Sequence, residues 1–84
     1  MSGGKPKAYV TIFGEPHVVV GSADPGHIEG LASTVDRKMR LISQRNPRLS
    51  TYKVAVLAAL NLADELTKLK EEHQTLVKLL DEDR

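Results

Sequence analysis

The chain has 84 residues and a mass of 9.2 kDa, which allows one small domain, and it contains no cysteine. The lack of cysteine excludes disulfide bonds, cysteine-based zinc sites and thiol nucleophiles. The net charge is only +1, but residues 1–53 carry eight Lys/Arg against four Asp/Glu, whereas residues 54–84 carry four against seven. The halves therefore have charges of +4 and −3. A core this small is marginal alone, so we expect a second chain to stabilise it.

The sequence of residues 1–20 predicts a mobile tail followed by a β-hairpin. Residues 1–7 are rich in Gly, Lys and Pro, and we expect them to be a disordered tail. Residues 8–13 and 17–20 are β-branched and aromatic, and the turn sequence Gly-Glu-Pro lies between them. Because an isolated hairpin is unstable in water, it must pack on a helix, and pairing of a partner's hairpin along its edge is a further option that stays open.

A first helix is predicted from residue 25 to about residue 45. Asp24 can cap its N-terminus, and Pro25 suits the first helical position. Asn46-Pro47 ends it, because a residue before proline disfavours the helical conformation. One stripe of this helix is apolar and should cover the hairpin; it consists of Ile28, Leu31, Val35, Met39 and Ile42.

A second helix is predicted from Thr51 to about Glu82, with Ser50 as its N-cap. At about 1.5 Å per residue it would be roughly 48 Å long and would extend beyond its own domain. Its first part, residues 54–63, is apolar on nearly every side, which predicts burial all round. A heptad seam then predicts an intermolecular coiled coil. The seam residues are Tyr52, Ala55, Ala59, Leu62, Leu66, Leu69, His73, Leu76 and Leu80.

These elements give an α+β fold: a small head of hairpin and helix, and a long C-terminal helix that pairs with another chain. We place a single domain at residues 8–84, with the head at 8–63 and the coiled-coil extension at 64–84. The oligomer would be a dimer, and a dimer of dimers is also compatible with the seam. His73 in this seam either sets the helix register or acts as a pH switch, since two imidazolium groups would repel each other.

No constellation of residues indicates catalysis, so we expect a non-enzymatic protein with no catalytic residues, cofactor or metal. Phosphate-binding glycine loops and closely spaced metal ligands are missing from the sequence. The longest apolar run has ten residues, one of which (Asn61) is polar, and this is far short of the roughly 20 residues that a membrane span needs. The N-terminus lacks a secretory pattern, so we expect a cytoplasmic protein without a membrane partner.

The segment from Arg37 to Lys53 contains six cations and no acid. On the first helix, cations and one leucine are expected on the side away from the apolar stripe, which suggests a docking surface for an acidic partner. Nucleic acid is the competing target, although aromatic residues are not interleaved with the cations, which makes it the less favoured one. A simple solvated charged face also remains possible. The candidate docking residues are Arg37, Lys38, Leu41, Arg45, Arg48 and Lys53.

Several segments together resemble a known family. They are Ile12-Phe13-Gly14, residues 35–39, Asn46-Pro47-Arg48-Leu49, residues 54–61, and Glu65-Leu66. In this order and spacing they are similar to the ZapA family of bacterial cell-division proteins, over residues 8 to about 70. The chain length resembles the short members of that family.

The resemblance implies a non-enzymatic partner of FtsZ, the tubulin-like GTPase that polymerises at midcell. It implies that the head binds FtsZ, that the long helix forms a homodimer or homotetramer, and that the assembly cross-links or aligns protofilaments at the division site. By this resemblance the cations between Arg37 and Lys53 would face FtsZ. Two alternatives remain open at the level of sequence: a small basic dimer that binds nucleic acid, and a generic coiled-coil adaptor.

Overall fold

The part of the chain that the structure describes forms two strands and two helices, in the order β1 (Lys7–Ile12), β2 (Glu15–Val20), α1 (Pro25–Arg45) and α2 (Thr51–Glu82). The structure is a computed structural model and describes residues 6–21 and 24–82. The predicted hairpin, first helix and long second helix are confirmed. The disordered tail was predicted through residue 7, but Lys7 already pairs with Val20, and residues 1–5 of that prediction lie outside the described ones.

A two-residue turn joins the antiparallel strands. Ile12 pairs with Glu15, and the residues between them, Phe13 and Gly14, have φ angles of 52° and 82°. Positive φ at both central positions defines the type I′ turn that matches strand twist. Phe13 was expected to end the first strand, yet it lies in this turn, where its side chain packs toward Met39. Because positive φ is costly for a bulky residue, something must hold Phe13 there.

Asp36 of α1 holds this turn in place. Its Oδ1 accepts a hydrogen bond from the Phe13 backbone N–H at 2.7 Å, and its Oδ2 accepts one from Arg40 Nε at 2.9 Å. The Arg40 hydrogen bond and then the Phe13 N–H hold the pKa of the Asp36 carboxyl below its usual range. One carboxylate therefore joins the tip of the hairpin to the middle of α1.

The ends of α1 follow the sequence signals. The Asp24 carboxylate accepts a hydrogen bond from Gly26 N–H at 3.0 Å, and Pro25 occupies the first helical position. At the other end, Asn46 N–H donates to the Ile42 carbonyl at 3.0 Å, just before Pro47. Both predicted ends of this helix are confirmed.

The core consists of two clusters along α1. One joins Ala8 and Val10 of β1 to Ile28 and Ala32, and the other joins Met39 to residues of α2. Leu31 was predicted to lie in the buried stripe but is 53% exposed, and Ala32 is buried instead. Ala8 and Val10 of β1 share a buried cluster with Ala32, so β1 covers Ala32 and leaves the neighbouring Leu31 largely exposed.

The second helix touches its own head on one side only. Ser50 caps it: the Ser50 carbonyl accepts from Val54 N–H at 2.9 Å, and the Ser50 hydroxyl accepts from Lys53 N–H at 3.2 Å. Val54 and Ala58 are each 1% exposed, where they pack on Met39. Burial all round was predicted for residues 54–63, but within one chain only this side is covered. The reason is that α1 is the main element of the described chain that packs against α2, with Ile12 and Phe13 at the edge of the same cluster.

Replacing Asp36 with asparagine is expected to lower the unfolding temperature at pH 7. A carboxyl whose pKa is lowered on folding adds stability that is complete above its unfolded pKa, about 4, and is lost as the pH falls through its folded pKa. The gap between the two proteins should therefore close below about pH 4. Thermal unfolding followed by circular dichroism tests this, with Asp81→Asn as the control, because Asp81 is exposed and makes no ion pair within the described residues. A gap that persists unchanged at about pH 2 would show that the Asp36 charge is irrelevant.

Candidate functional site

The candidate docking surface is centred on one exposed face of α1. Arg37, Leu41 and Arg45 are spaced by four residues and therefore share this face. Leu41 is 48% exposed between the two arginines. The basic face is defined here as Arg37, Leu41, Arg45, Arg48 and Lys53, all of which are exposed.

Two of the six cations in the segment from Arg37 to Lys53 form ion pairs within the chain, and of these only Lys38 was predicted for the docking surface. Lys38 forms an ion pair with Glu65 of α2, and Arg40 forms one with Asp36. Lys38 was expected on the side of α1 that faces away from the core. Instead its side chain points toward α2, where it is half-buried and paired with Glu65. The reason is that α2 runs past this turn of α1, which the sequence of α1 alone does not reveal.

The remaining four cations are available to a partner. Within residues 6–21 and 24–82, Arg37, Arg45, Arg48 and Lys53 make no ion pair. Arg45 is the last residue of α1, Arg48 follows in the connection to α2, and Lys53 lies in the first turn of α2. Two unpaired arginines beside an exposed leucine, with two more unpaired cations further along the chain, suit an acidic protein surface with an apolar contact point, because charge steers the encounter and apolar burial holds it.

The second candidate surface is the predicted seam of α2. Leu69 is 62% exposed, and its neighbours along the seam are similarly uncovered from Leu66 onward. Nearer the head, Leu62 is half-buried, whereas Tyr52, Ala55 and Ala59 are exposed. His73 is also exposed. A row of uncovered leucines of this length is unusual for a monomer and is typical of a surface that pairs with another chain.

More of α2 is apolar and exposed than the seam alone. Val77 and Leu79 flank the seam near its C-terminal end, and Leu57 and Leu60 lie on the opposite side of the helix near the head. The sequence analysis placed none of these four residues in the seam, although it predicted burial for Leu57 and Leu60 within residues 54–63. For Val77 and Leu79 the signal was present, because an a/d seam flanked by apolar e and g positions buries a wider face. Partners of α2 must therefore cover more than one narrow stripe.

The side of α2 that faces away from the seam is polar, and two of its charged side chains form an ion pair with each other. Lys68 Nζ lies 3.0 Å from Asp64 Oδ2, one helical turn away, and this hydrogen bond raises the pKa of Lys68. Among the described residues there is no cluster of three or more His, Asp or Glu side chains that could hold a metal ion. No helix in this part of the chain is long and apolar enough to cross a bilayer.

Comparison with known proteins gives one consistent family. A family model described as cell division protein ZapA matches residues 9–83. A cell division protein ZapA of Geobacillus sp. (strain WCH70) is 41% identical over 80 residues, covering 95% of this chain and 92% of the relative. One from Geobacillus thermodenitrificans (strain NG80-2) is 45% identical over 76 residues, covering 90% and 84%.

Two solved structures resemble the fold. A ZapA mutant dimer from Geobacillus stearothermophilus is 40% identical, has a TM-score of 0.70, and covers 96% of this chain and 94% of its own. An unknown conserved bacterial protein from Pseudomonas aeruginosa PAO1 is 26% identical, has a TM-score of 0.78, and covers 90% and 85%. The chain is thus similar over nearly its whole length to proteins of one family, one of which was solved as a dimer.

Proposed function

Because the chain belongs to the ZapA family of cell division proteins, we propose that it binds FtsZ and cross-links or aligns FtsZ protofilaments at the division site. It acts without catalysis and without a cofactor. Its heads dock on the filament, and its long helices hold the heads together. It works in the cytoplasm and is recruited to midcell by the filament itself.

The observation that carries this proposal is the uncovered apolar surface of α2. The helix has 32 residues, and its contacts with the head lie in its first half, as far as Glu65. Leaving the leucines of the seam in water would be unfavourable by about 25 cal/mol for each Å² of apolar surface. Pairing of α2 with the α2 of other chains removes this surface from water and fixes two or more heads on one assembly.

Joined heads are sufficient to explain bundling. Once one head is on a filament, the next head binds in an effectively intramolecular step, which can raise avidity by about 10²–10⁴-fold without new contacts. A head that binds FtsZ with low affinity therefore still produces a stable link between filaments when it is joined to another head. Any change in GTP hydrolysis would follow from the filament arrangement, because the proposal assigns no chemistry to this chain.

The basic face is the proposed FtsZ contact. Its four unpaired cations and Leu41 present a positive surface with an apolar centre. Lys38 contributes less to this contact, since Glu65 already neutralises it. The contact would bring an acidic region of the filament against α1 and the start of α2.

Sedimentation with FtsZ filaments tests the proposal. The full chain should pellet with FtsZ polymerised in GTP and should convert single filaments into bundles under the electron microscope. It should not be retained on DNA at the same ionic strength. Retention on DNA with a steep salt dependence, and no pelleting with filaments, would contradict the proposal and favour a nucleic-acid-binding dimer.

A further inference from the structure

The two outer edges of the hairpin differ in their backbone groups. Gly21 N–H donates to the Pro6 carbonyl at 3.2 Å, which fixes the alternation of hydrogen-bonded and non-hydrogen-bonded pairs along the ladder. The non-hydrogen-bonded pairs are then Lys7–Val20, Tyr9–Val18 and Thr11–Pro16. Residues in such pairs turn their N–H and C=O groups away from the partner strand.

A proline removes one backbone hydrogen-bond donor from the outer edge of β2, whereas the outer edge of β1 keeps its donors. Pro16 has no N–H to offer on the β2 edge, which is a common protection of edge strands. On the β1 edge, Lys7, Tyr9 and Thr11 all direct an N–H and a C=O outward. Within residues 6–21 and 24–82, the outward N–H and C=O groups of Tyr9 and Thr11 have no hydrogen-bond partner.

A polar groove runs beside this open edge. It has a volume of about 280 Å³ and lies between Tyr9–Thr11 of β1 and the α1 residues Glu29, Ala32, Ser33 and Asp36. The carboxylate of Asp36 is already bound to Phe13 and Arg40. Glu29, in contrast, is exposed and has no ion pair within the described chain. A segment bound in the groove would therefore meet the unpaired backbone groups of β1 on one side and the unpaired carboxylate of Glu29 on the α1 side.

We propose that the edge of β1 accepts an extended segment of a partner protein as a third strand, with a Lys or Arg of that segment facing Glu29. Backbone hydrogen bonds to Tyr9 and Thr11 would supply affinity, and the Glu29 carboxylate would supply selectivity for a basic segment. This inference does not depend on the proposed contact with FtsZ, since it uses a different face of the head and the opposite charge.

A second copy of this chain fits the groove poorly. The β1 side chains that face α1 are Ala8, Val10 and Ile12, and a paired copy would place such apolar groups over Glu29 and Ser33. The surface that needs a second copy is the leucine-rich face of α2. The β1 edge is therefore assigned to a partner of different sequence.

Amide hydrogen exchange of the full chain tests this assignment. The probe is a seven-residue peptide that alternates threonine and lysine. It should slow exchange at Tyr9 and Thr11 by about tenfold or more at saturation. The same peptide with glutamate in place of lysine should bind more weakly, and N-methylation of alternate backbone nitrogens should abolish binding.

Two proline variants separate the edges. Thr11→Pro removes an outward N–H from β1 and should abolish peptide binding, whereas Val18→Pro makes the same change on the β2 edge and should leave binding intact. Glu29→Lys, on the exposed surface of α1, should reverse the preference between the two peptides even if a proline variant is unstable.

Three results would overturn the assignment. One is unchanged exchange at Tyr9 and Thr11 with the lysine peptide. Another is a peptide preference that Glu29→Lys does not alter. The third is protection of these two amides in the free protein that rises with protein concentration, which would show that a second copy occupies the edge.

Discussion

Replacing Leu69 with glutamate is expected to break the assembly into smaller species and to abolish filament bundling. Leu69 lies in the middle of the seam and is uncovered in a single chain, so the new carboxylate does not disturb the head. Each seam leucine removed costs the assembly about 2–5 kcal/mol, and the buried charge adds to that cost. Light scattering after gel filtration, combined with filament pelleting, measures both effects.

Thr67→Glu provides the matched control. It adds the same charge to the same stretch of α2 but outside the seam, so oligomer mass and bundling should both stay as in the unmodified protein. If Leu69→Glu yields single chains that still bundle filaments, linkage of heads is not the mechanism. If it leaves the oligomer intact, the seam is wrongly placed.

Reversing two charges on the basic face is expected to weaken filament binding while the oligomer stays intact. Arg37→Glu combined with Arg45→Glu should leave oligomer mass unchanged and should weaken filament binding by about tenfold or more, because cations facing an acidic surface become anions. Neither arginine forms an ion pair within the described residues, so the loss reports on the partner rather than on folding. Pelleting at increasing protein concentration measures the affinity.

Lys68→Glu combined with Lys78→Glu controls for total charge. It changes the net charge by the same amount, but on α2 outside the basic face, and filament binding should stay close to that of the unmodified protein at moderate salt. Equal loss of binding in the two double variants would mean that only net charge matters. Full binding by the Arg37/Arg45 variant would remove this face as the FtsZ contact.

The elements of this fold could be predicted because their boundaries depend on local chemistry. Asp24-Pro25 begins α1, Asn46-Pro47 ends it, and Ser50 begins α2, each through its own backbone geometry or side-chain cap. The length of α2 followed from the lack of any breaker after Ser50. Its projection from the head followed from that length, since a helix of 32 residues is longer than a head of this size is wide.

What could not be predicted depends on how the elements meet. Whether Leu31 or Ala32 faces β1 is decided by where the strand crosses α1, and the sequence stripe is too broad to tell. Lys38 was expected on the docking surface because its partner, Glu65, is 27 residues away on another helix. Phe13 looked like a strand residue, since its turn conformation depends on the distant Asp36.

The mass of the purified protein in solution at micromolar concentration tests the central claim most directly. The account predicts particles of two or four chains, each chain contributing 9.2 kDa, measured by light scattering during gel filtration. A stable, folded particle with the mass of one chain would contradict it, because a single head cannot link two filaments.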